Sequence, residues 1–182
     1  MLDFVNTVDT VGEQALVDSI LSRTISGTFA DNMIYTLKKY CFKKCTSLEI
    51  VNLPNVMSMG YECFCDCTAL KEVYLGLIEI LTSDDSPFRK CDSLEKVDLG
   101  ENLASIIGNP FSNCTNLAAL IIRRTDGIPT LVSSGFSGTK IASGTGYIYV
   151  PSAIVDSYKT AENWSTYADQ FRAIEDYPDI CG

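Results

Sequence analysis

The apolar positions of this chain recur in blocks, not along one long helix or strand. Phe42, Phe64, Phe88, Phe111 and Phe136 follow one another at intervals of 22, 24, 23 and 25 residues. Three residues after each of the first four stands a cysteine (Cys45, Cys67, Cys91, Cys114), and three further on a leucine (Leu48, Leu70, Leu94, Leu117). Val51, Val73, Val97 and Leu120 come three later, then Leu53, Leu75, Leu99 and Ile122 two after that. A frame held at fixed offsets marks a solenoid, in which each coil is too small to bury its apolar side alone and stacks on its neighbours to do so.

Within a coil, Leu48 to Leu53 alternates apolar and polar as a short strand does, with Val51 and Leu53 turned inward. Pro54 and its counterparts Gly76 and Gly100 end that strand. Ile34/Leu37, Val56/Met59, Leu103/Ile106 and Ile128/Leu131 lie eight and five residues ahead of a phenylalanine and predict a second, shorter strand. Ile78/Leu81 sits two residues further out, which makes Thr82–Pro87 a loop with a short insertion. The Phe-x-x-Cys step reads as a helical turn. The expected fold is an α/β repeat: a solenoid of about five coils with parallel sheets, forming one domain over residues 1–182.

Solenoids need capped ends. Thr10-Val11-Gly12-Glu13 has the form of a capping box and predicts an N-terminal helix over Thr10–Ser22, within a cap of residues 1–28. Repeats then run over 29–151, beginning with a partial coil near Phe29. The last coil degrades, with Thr139 in place of cysteine and Ala142 in place of leucine, and its strand resumes at Tyr147–Val150. Ser152 caps a predicted helix through Lys159, and Asn163 or Ser165 a second one carrying Trp164, Ala168 and Phe171. Residues 152–174 thus form a C-terminal cap whose aromatic side chains seal the last coil. Glu175–Gly182 reads as an acidic tail with little to order it.

The wording of Cys45–Val56 (Cys-Thr-Ser-Leu-Glu-Ile-Val-Asn-Leu-Pro-Asn-Val), with its spacing, resembles the BspA-type leucine-rich repeats. Gly146–Lys159 and Asn163–Ala168 are similar to C-terminal caps of such proteins from gut Firmicutes and their phages. The resemblance covers about residues 20–178. It implies a non-enzymatic, adhesin-like recognition module for a protein or glycan on a bacterial surface or phage particle. It brings no shared catalytic residues.

Charge and composition narrow the function further. The net charge is −9 with a pI near 4.4, which opposes binding to phosphate backbones and anionic lipid. No stretch has the roughly 18 apolar residues of a membrane span. The N-terminus lacks the pattern of a signal peptide and the C-terminus that of a wall anchor, so an intracellular interaction scaffold is the alternative reading. No histidine is present, which removes the commonest general base and every Ser-His or Cys-His nucleophile pair. Paired carboxylates such as Asp84-Asp85 or Glu101 with Asp98 read as solvated surface groups. No enzyme activity, cofactor or nucleic-acid partner is expected, and capped ends favour a monomer.

Eight cysteines remain. Cys45, Cys67, Cys91 and Cys114, as frame positions, predict a ladder of buried thiols acting as small apolar groups. Cys41 and Cys63 each precede a frame phenylalanine, where small residues fit, and a disulfide between them is conceivable. Cys41, Cys45, Cys63 and Cys67 together are the one conceivable metal set, although their spacing is not that of a zinc ribbon. Cys65 follows Phe64 where other coils carry Lys43, Arg89, Ser112 and Ser137, which predicts an exposed thiol.

A partner would meet the outward residues of the first strand. These form two rows, Ile50, Glu72, Lys96 and Ala119 in one and Asn52, Tyr74, Asp98 and Ile121 in the other. Their mixed aromatic, charged and apolar character suits contact with protein or glycan, and Glu72, Lys96 and Asp98 also suit ordinary cross-strand pairing. The insertions at Thr82–Pro87, Arg123–Gly127 and Ser143–Gly146 are competing sites.

Overall fold

The structure, a computed structural model, describes residues 10–11, 24–26, 35–82, 84, 86–133 and 135–182. Thirteen short strands pair in parallel throughout the described residues. The wide sheet takes the first strand of each coil: β2 (Thr24–Ser26), β4 (Ile50–Leu53), β6 (Glu72–Leu75), β8 (Lys96–Leu99), β10 (Ala119–Ile122), β12 (Tyr147–Val150) and β13 (Phe171–Ala173). Its order is β13-β12-β10-β8-β6-β4-β2, one coil after the next. The second strand of each coil builds two narrow sheets. One contains β1 (Thr10–Val11), β3 (Tyr35–Leu37) and β5 (Val56–Met59), the other β7 (Ile80–Thr82), β9 (Ser105–Ile107) and β11 (Thr130–Val132). The break falls between β5 and β7, where the displaced Ile78/Leu81 pair spoils the register. A backbone bond from Glu79 N to Met57 O (3.4 Å) crosses it.

Side-chain alternation explains which strand residues face in. Val51 and Leu53, Val73 and Leu75, and Val97 and Leu99 are buried, while the residue between each pair points out. The frame phenylalanines stack as one file: ring centroids of Phe42, Phe64, Phe88, Phe111 and Phe136 stand 5.1, 5.6, 5.8 and 6.1 Å apart, with planes within 16°. The frame cysteines run beside them, fully buried, and the thiols of Cys67, Cys91 and Cys114 reach across coil boundaries. Cys67, Cys91 and Cys114 Sγ donate to the carbonyls of Phe42, Phe64 and Phe88 at 3.0, 3.1 and 3.0 Å. Sulfur is therefore more than a filler, because it adds a bond across the coil boundary to a carbonyl that also accepts from the cysteine N–H of its own turn. At the strand ends coils approach so closely that a Cβ on Gly100 would lie 1.8 Å from the Gly76 carbonyl oxygen, and one on Gly76 2.2 Å from that of Pro54.

Both ends differ from expectation. Thr10–Val11, placed by its capping box in a helix, is a strand whose residues align with Thr36 and Leu37. Pairing with the next coil outweighs a local capping signal, since the repeat supplies a ready parallel edge. The rest of the expected helix, residues 12–22, lies outside the described residues, as does Phe29. Strand β2, aligned with β4 through Ile25 and Val51, puts the repeat ahead of the expected partial coil, so the stack exceeds five coils. At the other end, Ser152–Ile154 is a 3-10 turn leading into helix α1 (Val155–Thr160). Ser152 does not cap it; its Oγ donates to Glu175 Oε1 at 3.0 Å. Trp164–Gln170 forms two 3-10 turns rather than one helix, and Phe171 opens β13 instead of continuing a helix. The aromatic seal is nevertheless in place. Trp164 and Tyr167 cover Phe136 at 6.0 and 5.2 Å, and Trp164 Nε1 donates to Pro129 O at 2.7 Å.

The acidic tail is folded, contrary to expectation. Ile174–Asp176 is a 3-10 turn and Pro178–Cys181 a short helix, α2. Ile174, Tyr177, Ile180 and Cys181 pack as a separate apolar cluster on Ile121 and Tyr149 of the wide sheet. Ile174, Tyr177 and Ile180 at steps of three, with Cys181 beside the last, outweigh the acidic residues around them.

Candidate functional site

The wide sheet aligns the two outward rows as the repeat requires. Ile50, Glu72, Lys96 and Ala119 are cross-strand neighbours, as are Asn52, Tyr74, Asp98 and Ile121. Parallel in-register pairing does this, because equal offsets in the sequence become adjacent positions about 4.8 Å apart. Not all eight residues remain accessible. Ile121 is fully buried and Ala119 half-buried, both under the folded tail, so these two are removed from the expected face. What stays open runs over β4, β6 and β8: Ile50, exposed by 40%, with Asn52, Glu72, Tyr74, Lys96 and Asp98.

Charged side chains order this surface. Lys96 Nζ meets Glu72 Oε2 at 2.8 Å across the strands. Arg123 grips Asp98 with two bonds, Nε to Oδ1 at 2.9 Å and Nη2 to Oδ2 at 2.7 Å. The same Nη2 donates to the Cys181 carbonyl, tying the tail to the sheet. Burial pushes the Asp98 carboxyl above its ordinary range, and the Arg123 guanidinium opposes that shift. Where tail and sheet meet there is an open depression of about 320 Å³ lined by Tyr74, Lys96, Asp98, Arg123, Ile180, Cys181 and Gly182. Arg123, Ile180, Cys181 and Gly182 lie outside the two outward rows, Arg123 opening one of the insertions and the other three belonging to the tail. Arg123 directly follows the frame residue Ile122 on the strand next to that of Asp98, and that position is the available signal.

The sulfur groups divide by role. Among the described residues no group of three or more cysteine or carboxylate side chains could hold a metal ion. All eight cysteines are thiols. Cys45 and Cys67 belong to the file beside the phenylalanines, whereas Cys41 and Cys63 form their own pair, and burial raises the Cys63 thiol well above its ordinary range. Cys65, expected at the surface, is buried. Its coil bends at Glu62 (φ 51°), whose carboxylate folds inward to pair with Lys43 and Arg89 from the coils on either side, and the three together close over the sulfur. Asp66 lies beside the thiol, with Cys65 Sγ donating to Oδ2 at 3.5 Å. Burial also raises the Cys65 thiol, so it is held protonated. Of the carboxylates considered for chemistry, Asp84 and Glu101 are exposed and Asp98 is engaged by Arg123, while Asp85 lies outside the described residues.

The family model for the BspA-type leucine-rich repeat region matches residues 11–142 in six copies. That count agrees with the strands found ahead of the expected first coil. No curated protein sequence matches the chain. A crystal structure of a leucine-rich repeat protein from Bacteroides ovatus is similar, with 19% identity and a TM-score of 0.44. The alignment covers 82% of this chain but 41% of that protein, so the chain spans less than half its length. No helix among the described residues is long and apolar enough to cross a membrane.

Proposed function

Because the chain belongs to the BspA-type leucine-rich-repeat family, whose repeats form interaction scaffolds, we propose that it is a non-enzymatic recognition module whose wide sheet binds a partner. The observation that carries this reading is the open area of β4, β6 and β8. There Ile50, Asn52 and Tyr74 offer apolar and hydrogen-bonding contacts, and Lys96 and Asp98 border a depression sized for a side chain or sugar ring. The partner is a protein or glycan of a bacterial cell surface, met by the module as part of a surface or phage-particle protein. Tyr74 is the anchor, an amphipathic ring between two charged pairs.

The test is binding of fluorescently labelled protein to intact cells of a panel of gut bacteria. Saturable binding to one strain, weakened about tenfold by Tyr74→Ala, supports the reading, a loss typical of an interface anchor. Absence of binding to every strain at micromolar protein overturns it. A second reading, an interaction scaffold inside cells, draws on the eight cysteines held as thiols, a state that reducing compartments maintain. Recovery of one stoichiometric partner from lysate, lost with Tyr74→Ala, would favour it.

A further inference from the structure

Residues 36–47 hold four lysines, Lys38, Lys39, Lys43 and Lys44, and no carboxylate, in a chain of net charge −9. Folding spreads them along the edge made by the turns, away from the wide sheet, and sets two tyrosines among them. Tyr40 N donates to Tyr61 O at 2.9 Å and Lys44 N to Cys65 O at 2.8 Å. A Cβ on Gly60 would lie 2.5 Å from Lys39 N, so Tyr61 is seated directly beside Lys39 and Tyr40. The two tyrosines are 42% and 43% exposed and meet edge to face at 5.6 Å. Lys43 Nζ stands 4.8 Å from the Tyr40 ring centre.

The nearest carboxylate does not neutralise this edge. Glu62 is buried and shared by Lys43 and Arg89, and Lys90 faces Asp66 at 4.0 Å. Lys38, Lys39 and Lys44 stand outside these pairs among the described residues and are exposed. An aromatic pair left half in water, in a segment that also carries three exposed lysines, offers a ligand two things at once. One is a flat apolar face, the other negative-charge complementarity.

We propose that this edge binds an acidic glycan, with a sugar ring laid on Tyr61 and its carboxylate held by Lys39 and Lys44. Three observations select that occupant. Among the described residues the unpaired cations are lysines, point charges suited to a single carboxylate, whereas the Arg89 guanidinium is engaged by Glu62. Asp66, Asp84 and Asp92 carry negative charge on the coils beyond, which disfavours any extended polyanion, nucleic acid included, and limits the acidic glycan to a short segment. An acidic peptide would use the charge but has no need of two exposed rings.

The experiment is titration of the full chain with a defined oligogalacturonate, alongside a neutral malto-oligosaccharide, poly-glutamate and a single-stranded oligonucleotide, at low and moderate salt. The expected result is salt-sensitive binding of the oligogalacturonate alone. It should weaken about tenfold in the Lys39→Gln/Lys44→Gln variant and about fivefold or more in Tyr61→Ala, the scale of lost ionic and stacking contacts. Tyr74→Ala on the wide sheet should leave it unchanged, which separates this site from the sheet-face reading. Thermal melts of each variant check the fold, and the lysine pair, being exposed, keeps the test open if Tyr61→Ala is unstable. No binding of oligogalacturonate at millimolar concentration overturns the proposal. So does equal binding of poly-glutamate or oligonucleotide with no effect of Tyr61→Ala.

Discussion

The thiol of a frame cysteine donates to the carbonyl of the phenylalanine one coil earlier, and this makes cysteine specific where alanine or valine would fill similar space. Cys91→Ala removes both a buried sulfur and the bond to Phe64 O, and should cost about 1–3 kcal/mol in urea unfolding. Cys91→Ser should cost less, because a hydroxyl keeps a donor there. Glu62 offers a second test. Its hydrogen bond from Lys43 holds the native carboxyl below its ordinary value, with Arg89 adding to the effect. A depressed native pKa contributes stability above the unfolded value, near 4.5, and loses it as pH falls through the native one. The melting temperature should therefore drop steeply below about pH 5, and Glu62→Gln should flatten that acid limb. Cys65 shows why single positions are harder to read than frames. Its counterparts in other coils are polar and half-buried or exposed, whereas Glu62, three residues earlier, turns inward and with Lys43 and Arg89 covers it.

Strands and turns follow from the repeat, and most were legible because burial repeats with the chain. Val51, Val73 and Val97 point in wherever the frame says so, and Leu37, Leu81, Ile106 and Leu131 mark the second strand. Thr10–Val11 was misread for the opposite reason: a capping box is a four-residue signal, while strand pairing with Thr36–Leu37 depends on residues 26 positions away. The turn between phenylalanine and cysteine carries a signature of its own. Lys44, Asp66, Lys90, Asn113 and Gly138, each two residues after the phenylalanine, all have positive φ, between 61° and 82°. Coil contact sets a stricter limit at the strand ends. Gly100→Ala would drive a methyl into the Gly76 carbonyl, and should destabilise the protein by about 3 kcal/mol or more, read from the denaturation midpoint.

At the scale of the molecule, the file of rings from Phe42 to Phe136 ends against Trp164 and Tyr167, so the cap extends the core rather than lying over it. Trp164→Ala exposes the last ring and frees the Pro129 carbonyl, and about 3–5 kcal/mol should be lost in chemical denaturation. The aromatic content of that cap was legible in the sequence, but its conformation was not, since tertiary packing chooses 3-10 turns and a strand where local spacing suggests helices. The tail was missed because acidic residues dominate its composition, although Ile174, Tyr177, Ile180 and Cys181 decide where it goes. That docking shortens the sheet face assumed from the rows, leaving Tyr74 and Asp98 at its boundary. The discontinuity between β5 and β7 has a kinetic meaning. Like a book stitched along one margin and slit along the other, the stack is held there by the wide sheet and the ring file while the narrow sheet is cut. Opening should start along that cut, so amides of residues 35–59 should exchange with deuterium as one early group, ahead of those in β8 and β10. Uniform exchange across the whole stack would mean that the remaining margin alone makes unfolding all-or-none.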